Sequence, residues 1–299
     1  MNYKIIKLCI GILFLQNVLF AQNKIVVFQT DFGLKDGAVS AMKGVALTED
    51  SSLKLYDLTH EIPAYNIWEA AYRLEQTMQY WPKGTVFVSV VDPGVGTNRK
   101  SVVLKTKTGY FVVGPDNGTL TLIAASQGID TVREINESTN RRVGSEKSYT
   151  FHGRDVYAYT AARIASGKIK FEEVGKQLPN EVVKIPYQKA VLDNKKLKGT
   201  IVILDVQYGN IWTNIGDDLF SALDVKLGDK ITVTIYFKNQ KKYSATMPYA
   251  NTFGSVGNKQ PLLYLNSLLQ VSIALNMGDF SAINKIYSGN DWTIEIVKK

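Results

Sequence analysis

From Lys24 to about Lys184, short β-branched runs alternate with stretches whose apolar residues recur at helical spacing. IVVFQT (25–30) predicts a buried strand, and a helical pattern follows from about Asp36 to Leu47. LKLYDL (53–58) predicts the next strand, and Ile67 to Tyr80 the next helix. Trp81-Pro82-Lys83-Gly84 breaks the chain before TVFVSVV (85–91), which is nearly all apolar, as a strand covered on both faces requires. SVVLK (101–105) and GYFVVG (109–114) add strands, Thr119 to Ser126 a helix, and Asp155 to Ala165 the last helical run. Such alternation implies parallel pairing, so residues 22–187 are expected to form an α/β domain with a doubly wound, mainly parallel sheet.

The character changes after about residue 190. KGTIVILDVQYGNIWTNI (198–215), DKITVTIYF (229–237), KKYSATM (241–247) and DWTIEIVKK (291–299) are β-rich and separated by turn residues. Residues 195–299 are therefore expected to form a smaller antiparallel, barrel-like β domain. Leu178 to Asn194, with two prolines and several charges, reads as the linker.

The first 21 residues stand apart. MNYKIIK carries two lysines and no acid, and LCIGILFLQNVLFA is an uncharged apolar run ending at Ala21. A positive start, a run too short to span a bilayer and a small final residue predict a secretory signal peptide, hence export and no stable membrane anchor after cleavage. Cys9, the only cysteine, leaves with it, and a cysteine-free chain suits an oxidising compartment.

The 299 residues carry a formal charge of +8, which falls to +6 without Lys4 and Lys7. The densest basic spots, Lys195-Lys196-Lys198 and Lys238 to Lys242, lack interleaved aromatics, so no nucleic-acid partner is expected. One cysteine and two histidines, His60 and His152, exclude a disulfide framework and argue against any Cys- or His-rich metal centre.

Polar motifs follow the apolar strands, where open parallel sheets bind ligands. TDFGLKD places Asp31 and Asp36 after the first strand; a carboxylate there can accept from vicinal hydroxyls, or cap the next helix. VDPGVGTNRKS sets Asp92 at the end of the buried strand and Arg99 seven residues on; it lacks the third glycine of a dinucleotide fingerprint and reads equally as a turn with an ion pair. TFHGRDVYAY puts His152 between Phe151 and Gly153, just before a helix. DVQYGNIWTNI gathers Asp205, Tyr208, Asn210 and Trp212, which suit a purine or, more plainly, a hairpin with an Asx turn.

Taken in order, TDFGLKDGAVSAMKGV, DLTHEIPAYNIWEAAY, VFVSVVDPGVGT, GPDNGTL, TFHGRDV, YGNIWTNI and LLYLNSLLQVSIALN resemble the S-adenosyl-L-methionine (SAM) hydroxide adenosyltransferases, the SAM hydrolases that share a fold with fluorinases and chlorinases. The resemblance implies hydrolysis of SAM to adenosine and L-methionine without a metal or organic cofactor. It assigns Asp92, Arg99 and His152 to catalysis. Asp31 would bind ribose, Tyr65 the sugar and sulfur region, Asp205 the methionine ammonium, and Asn210 the adenine edge. Tyr208, Trp212 and the backbone of Met277 would face adenine, and Ser267 the methionine carboxylate; Asp36 and Phe151 complete the expected substrate-binding set. It also implies a homotrimer with sites at the subunit seams. Two departures separate the chain from the halogenases: Leu268 replaces an arginine and Gly153 the halide-binding serine. An exported nucleoside- or SAM-binding protein without turnover, and a hydrolase of another 5′-substituted adenosine, are the competing readings.

Overall fold

The computed structural model describes residues 23–299, so the expected signal peptide lies outside the described residues. The first sheet is built from β1 (Ile25–Thr30), β2 (Lys54–Thr59), β3 (Val86–Val90), β4 (Ser101–Thr106), β5 (Phe111–Pro115), β6 (Ile129–Glu134) and β7 (Gln177–Leu178), in the order β2-β1-β3-β5-β4-β6-β7. Pairing is parallel from β2 through β5. It is antiparallel where β4, β6 and β7 extend the edge. The sheet is thus mixed, and its parallel half is the part that was expected. Strand β6 was not anticipated, because IDTVRE buries only Val132 and shows no apolar alternation.

Alternate side chains feed two cores, as the two-residue period of a strand dictates. Val26 and Phe28 of β1, with Val86, Val88 and Val90 of β3, pack against Met42 and Ala46 of α1 (Ala38–Glu49) and against the helical run through Ala165. Val27 and Phe87 point the other way, toward Leu74 and Met78 of α2 (Ile67–Met78) and Ile123 of α3 (Thr121–Ser126). Helix α1 leads from β1 outward to β2, and α2 leads back across β1 to β3 on the opposite face. The chain therefore reverses direction between β1 and β3, and the crevice beyond their carboxyl ends is where such sheets receive ligands.

The second sheet comprises β8 (Val191–Asp193), β9 (Lys196–Leu204), β10 (Ile211–Gly216), β11 (Lys230–Phe237), β12 (Gln240–Pro248), β13 (Pro261–Leu265), β14 (Gln270–Leu275) and β15 (Trp292–Lys298). Its order is β12-β11-β15-β9-β10-β14-β13, with β8 added to β9 inside the expected linker. A bridge from Tyr249 to Leu263 brings the two edges together, so the sheet is nearly a barrel around Ile201, Ile211, Ile231, Val271 and Ile294. Helix α4 (Tyr159–Ser166) belongs to the first core, while the short α5 (Asp217–Ser221) and α6 (Phe280–Asn284) pack on the second. Among the described residues no helix is long and apolar enough to cross a membrane.

The two sheets meet along α2 and β9. The Trp68 indole donates to the Val202 carbonyl at 2.8 Å, and its ring packs edge-on to Tyr187. Tyr72, Leu122, Val202 and Ile203 close the same cluster. Trp68→Ala is expected to cost about 3–5 kcal/mol in urea unfolding. Trp68→Phe, which keeps most of the area but removes the donor, should cost about 1–2 kcal/mol. A loss below about 1 kcal/mol for the alanine variant would show that this seam does not hold the halves together.

Candidate active site

Three segments converge beyond the carboxyl ends of β1 and β3. Asp31 follows β1 directly, Asp92 lies two residues past β3, and Phe151-His152 lead into a π-helical turn, Gly153–Ala158, that continues as α4. Together with Phe32, Tyr65, Val95 and Gly153 they line a cavity of about 240 Å³. Single π turns of this kind recur at functional sites.

Each segment is fixed locally. The Asn117 side chain of the GPDNG motif donates to the Val91 carbonyl at 2.9 Å, pinning the strand end that presents Asp92. Gly96 has φ +76°, and a Cβ there would sit 3.2 Å from the Tyr149 carbonyl, so the second glycine of VDPGVG lets the two loops touch. Phe151 meets Phe32 edge-on, with ring centres 5.8 Å apart. Asp31 accepts the Tyr65 N–H at 2.9 Å through Oδ2, while its Oδ1 makes no hydrogen bond among the described residues and can serve a ligand's hydroxyls. That contact holds Tyr65 at φ +67°, a conformation L side chains seldom adopt, with its ring largely in solvent.

The charged centre is built on Arg99. Its Nε lies 2.9 and 3.0 Å from the two Asp92 oxygens, and its Nη2 2.6 Å from Oδ2. Nη1 donates to Ser101 Oγ at 2.9 Å, and Nη2 also lies 2.8 Å from His152 Nδ1. Burial works against the guanidinium's charge, but its hydrogen bonds and proximity to Asp92 outweigh this and hold it above the ordinary arginine value. Burial, followed by the Asp92 charge, pushes the Tyr157 phenol well up, so its hydroxyl, 3.5 Å from Asp92 Oδ2, stays protonated and donates. His152 is shifted down, chiefly by burial and then by Arg99 and Arg141, against the opposing pull of Glu137 and Asp92. The imidazole is therefore neutral near pH 7. A neutral base and a carboxylate on one small cavity, with a guanidinium bonded to both behind them, form a set that can orient and deprotonate water. The other histidine, His60, is spoken for: Thr30 and Asp57 bond its two ring nitrogens, each at 2.9 Å.

A second, larger cavity of about 630 Å³ opens on the β-rich half. Asp205, Tyr208, Asn210, Trp212, Ser267 and Met277, all expected at the substrate, line it, and so do Phe253, Tyr264, Asn266 and Asn276, which sequence reasoning had missed. Asp205 and Asn210 face each other across the β9–β10 hairpin; Asn210 Nδ2 donates to Asp205 Oδ2 at 3.3 Å, and an Asx turn runs from Asp205 to the Gln207 N–H. The hairpin reading and the ligand reading thus describe the same residues. Gly209, at φ +64°, leaves space that a Cβ would take from the Asp279 carboxylate. Asn266 is 6% exposed; its Oδ1 accepts the Leu268 and Gln270 N–H groups at 2.8 and 3.1 Å, and its Nδ2 is buried without a partner. With both bonded neighbours being donors, the amide orientation is fixed, and its N–H groups are left buried without a partner.

Asp36 lines neither cavity. It is exposed just before α1, where its Oδ1 takes the Ala38 N–H at 2.9 Å in an Asx turn one residue ahead of the N-cap Gly37. The two cavities share no lining residue, and the expected site residues other than Asp36 and Arg99 divide between them. Among the described residues no three His, Cys, Asp or Glu side chains gather to hold a metal ion.

Residues 26–175 match the SAM hydroxide adenosyltransferase N-terminal domain, and residues 199–293 its C-terminal domain. A protein of Methanocaldococcus jannaschii named (R)-S-adenosyl-L-methionine hydrolase is 39% identical over 219 residues, covering 72% of this chain and 74% of its own. One of the same name from Salinispora tropica is 32% identical over 254 residues, covering 85% and 90%. A fluorinase of Actinopolyspora mzabensis is 26% identical over 277 residues, covering 84% and 90%. The crystal structure of a conserved protein from Thermotoga maritima superposes with a TM-score of 0.83 at 35% identity, covering 91% of this chain and all of that one (100%). The chain belongs to the SAM hydroxide adenosyltransferase family.

Proposed function

We propose that this protein hydrolyses S-adenosyl-L-methionine to adenosine and L-methionine. The observation that carries the reading is the Asp92–Arg99–His152 set, joined by contacts of 2.6 to 3.0 Å, in which Asp92 and His152 line one cavity with Asp31 and Arg99 binds both from behind. A binding protein has no use for a neutral base beside a paired carboxylate, so turnover is favoured over binding alone.

The sulfonium of SAM is already a good leaving group and needs no proton. Water attacks the ribose 5′ carbon in line with the departing sulfur; the O–C5′ bond forms, the C5′–S bond breaks, and its electron pair returns to sulfur as the neutral thioether of methionine. Asp92 orients the water and takes up its proton, His152 hydrogen-bonds or relays it, and Arg99 holds Asp92 in place. Asp31 takes the ribose hydroxyls. Asp205 holds the methionine ammonium, and the Ser267 hydroxyl supplies a donor to the carboxylate that Leu268 does not. No step uses a metal, and activity should survive a chelator.

The reading includes a homotrimer in which one subunit's ribose cavity faces its neighbour's adenine cavity. Supporting it are the division of the site residues between two cavities and the exposure of Tyr65 (72%), Tyr208 (65%) and Met277 (80%), which a covering subunit would relieve. It also includes export, supported by the composition of residues 1–21; fractionation of cells with mass measurement of the amino terminus tests it.

Asp92→Asn and His152→Ala are expected to lower kcat by 100-fold or more while SAM affinity changes less than about threefold, since both groups address a water the ground state hardly uses. Parallel losses in rate and affinity would make them ligand-positioning groups. Asp31→Ala should instead weaken SAM and adenosine alike.

Two inactive chains, Asp92→Asn and Asn210→Ala, should regain part of the wild-type rate when mixed and allowed to exchange subunits, because some mixed seams then carry two intact halves. If no activity returns although exchange is seen by mass spectrometry, the shared seam is wrong.

In oxygen-18 water with excess chloride or fluoride, adenosine should carry the label at its 5′ oxygen and no 5′-halo-adenosine should form. Gly153 offers no hydroxyl to a halide, and the Asp92 carboxylate repels one in a poorly hydrated pocket. Halogenated product, or unlabelled adenosine, would overturn the water-activating role.

A further inference from the structure

His152 sits between two guanidinium groups. Arg99 Nη2 lies 2.8 Å from Nδ1, and Arg141 Nη2 lies 2.9 Å from Nε2. We infer that Arg141, braced by Glu137, is a positioning residue that keeps His152 in its neutral form and fixes the ring for the reaction. The inference rests on the hydrolase reading for its kinetic consequence only; the juxtaposition stands without it.

Arginine offers only donors, and a neutral imidazole has a single lone-pair nitrogen to accept with. An imidazolium has none, so with both guanidiniums in place neither hydrogen bond to His152 survives its protonation. The two arginines thus compete for one lone pair, and each raises the cost of a proton on the ring. Arg141 is well suited to this task. It is nearly buried, its Nε donates to Glu137 Oε2 at 3.1 Å, Nη1 donates to the Ser148 carbonyl at 3.3 Å, and its guanidinium stacks 4.9 Å from the Tyr149 ring centre. Glu137 Oε2 is itself 4.0 Å from His152 Nε2, so removing the arginine would leave a carboxylate facing the ring. The other groups around His152 are Asp92, paired to Arg99, and the rings of Tyr149 and Tyr157, each edge-on at about 6 Å (6.3 and 6.2 Å).

The two partners pull His152 in opposite directions, which gives the test its sign. Imidazole signals of the purified, substrate-free protein are followed by NMR against pH, with a His152→Asn sample to assign His152 against His60. In Arg141→Gln the loss of a cation and the unmasking of Glu137 should raise the His152 midpoint by about one pH unit. In Glu137→Gln, where the opposing carboxylate is gone and the arginine remains, the midpoint should fall below wild type. Arg141→Lys should titrate near wild type, because the charge persists. If Arg141→Gln does not fold, the Glu137→Gln and Arg141→Lys samples still decide the sign.

With SAM, the acid limb of kcat should move with each midpoint, to higher pH in Arg141→Gln and to lower pH in Glu137→Gln, with KM within about threefold. Unchanged midpoints, or shifts of one sign in both glutamine variants, would overturn the inference. Absence of SAM turnover in the wild type would overturn the hydrolase reading while leaving the titrations to judge Arg141.

Discussion

A carboxylate taken out of water must be paired, and the Asp92–Arg99 pair is where this molecule meets that requirement. The side chains are 5% and 10% exposed, and the guanidinium meets both carboxylate oxygens. Removing one partner of such a pair costs about 3–5 kcal/mol, because the other is left charged in a poor solvent. The neighbourhood is arranged around keeping the pair intact. Asn117 fixes the carbonyl before Asp92, Ser101 and Tyr157 complete the hydrogen bonding of Arg99 and Asp92, and Gly96 lets the intervening loop lie against Tyr149. The result is a rigid carboxylate whose position is set by two β-strands.

That rigidity comes from topology as much as from contacts. The loop after β1 runs to α1 on one face while the loop after β3 runs on to β4, and Asp31 and Asp92 stand on the two lips of the crevice between them. Their separation is thus set by one parallel strand pairing, Val26 to Thr30 against Val86 to Val90. A register slip between these strands would move one carboxylate relative to the other and turn core side chains outward, so the hydrophobic pattern of both strands guards the geometry of the site.

The parallel half of the sheet was legible because its strands are buried on both faces and read as unbroken apolar runs. Strand β6 was hidden by its polar sequence, whereas the barrel-like domain was legible from its short β-rich runs separated by turn residues. Among the expected site residues, the juxtapositions of Asp92 with Arg99 and His152, and of Asp205 with Asn210, were legible because these residues follow strands and form compact motifs. Asp36 lies outside both cavities, and an acid two residues before a helix has the same local sequence whether it bonds the backbone or a ligand. Arg141, Glu137 and Asn266 lay beyond sequence reasoning. The first two sit in a loop with no pattern of its own, and Asn266 shows itself only through an amide whose oxygen is used and whose nitrogen is not.

The charges around His152 explain why its neutrality matters to more than proton transfer. Two carboxylates, Asp92 and Glu137, are matched by two guanidiniums, Arg99 and Arg141, so the cluster carries no net charge while the imidazole is neutral. The proposed substrate presents a sulfonium, a fixed positive charge that is lost only as the C5′–S bond breaks. A protonated His152 would make the cluster positive and oppose entry of that cation through a medium where charges are felt strongly. The same proton would occupy the one lone pair with which the ring accepts from an arginine, and so release the ring from its place beside Asp92. One protonation state therefore serves both the binding of a cation and the fixed placing of the imidazole, and the paired arginines select it.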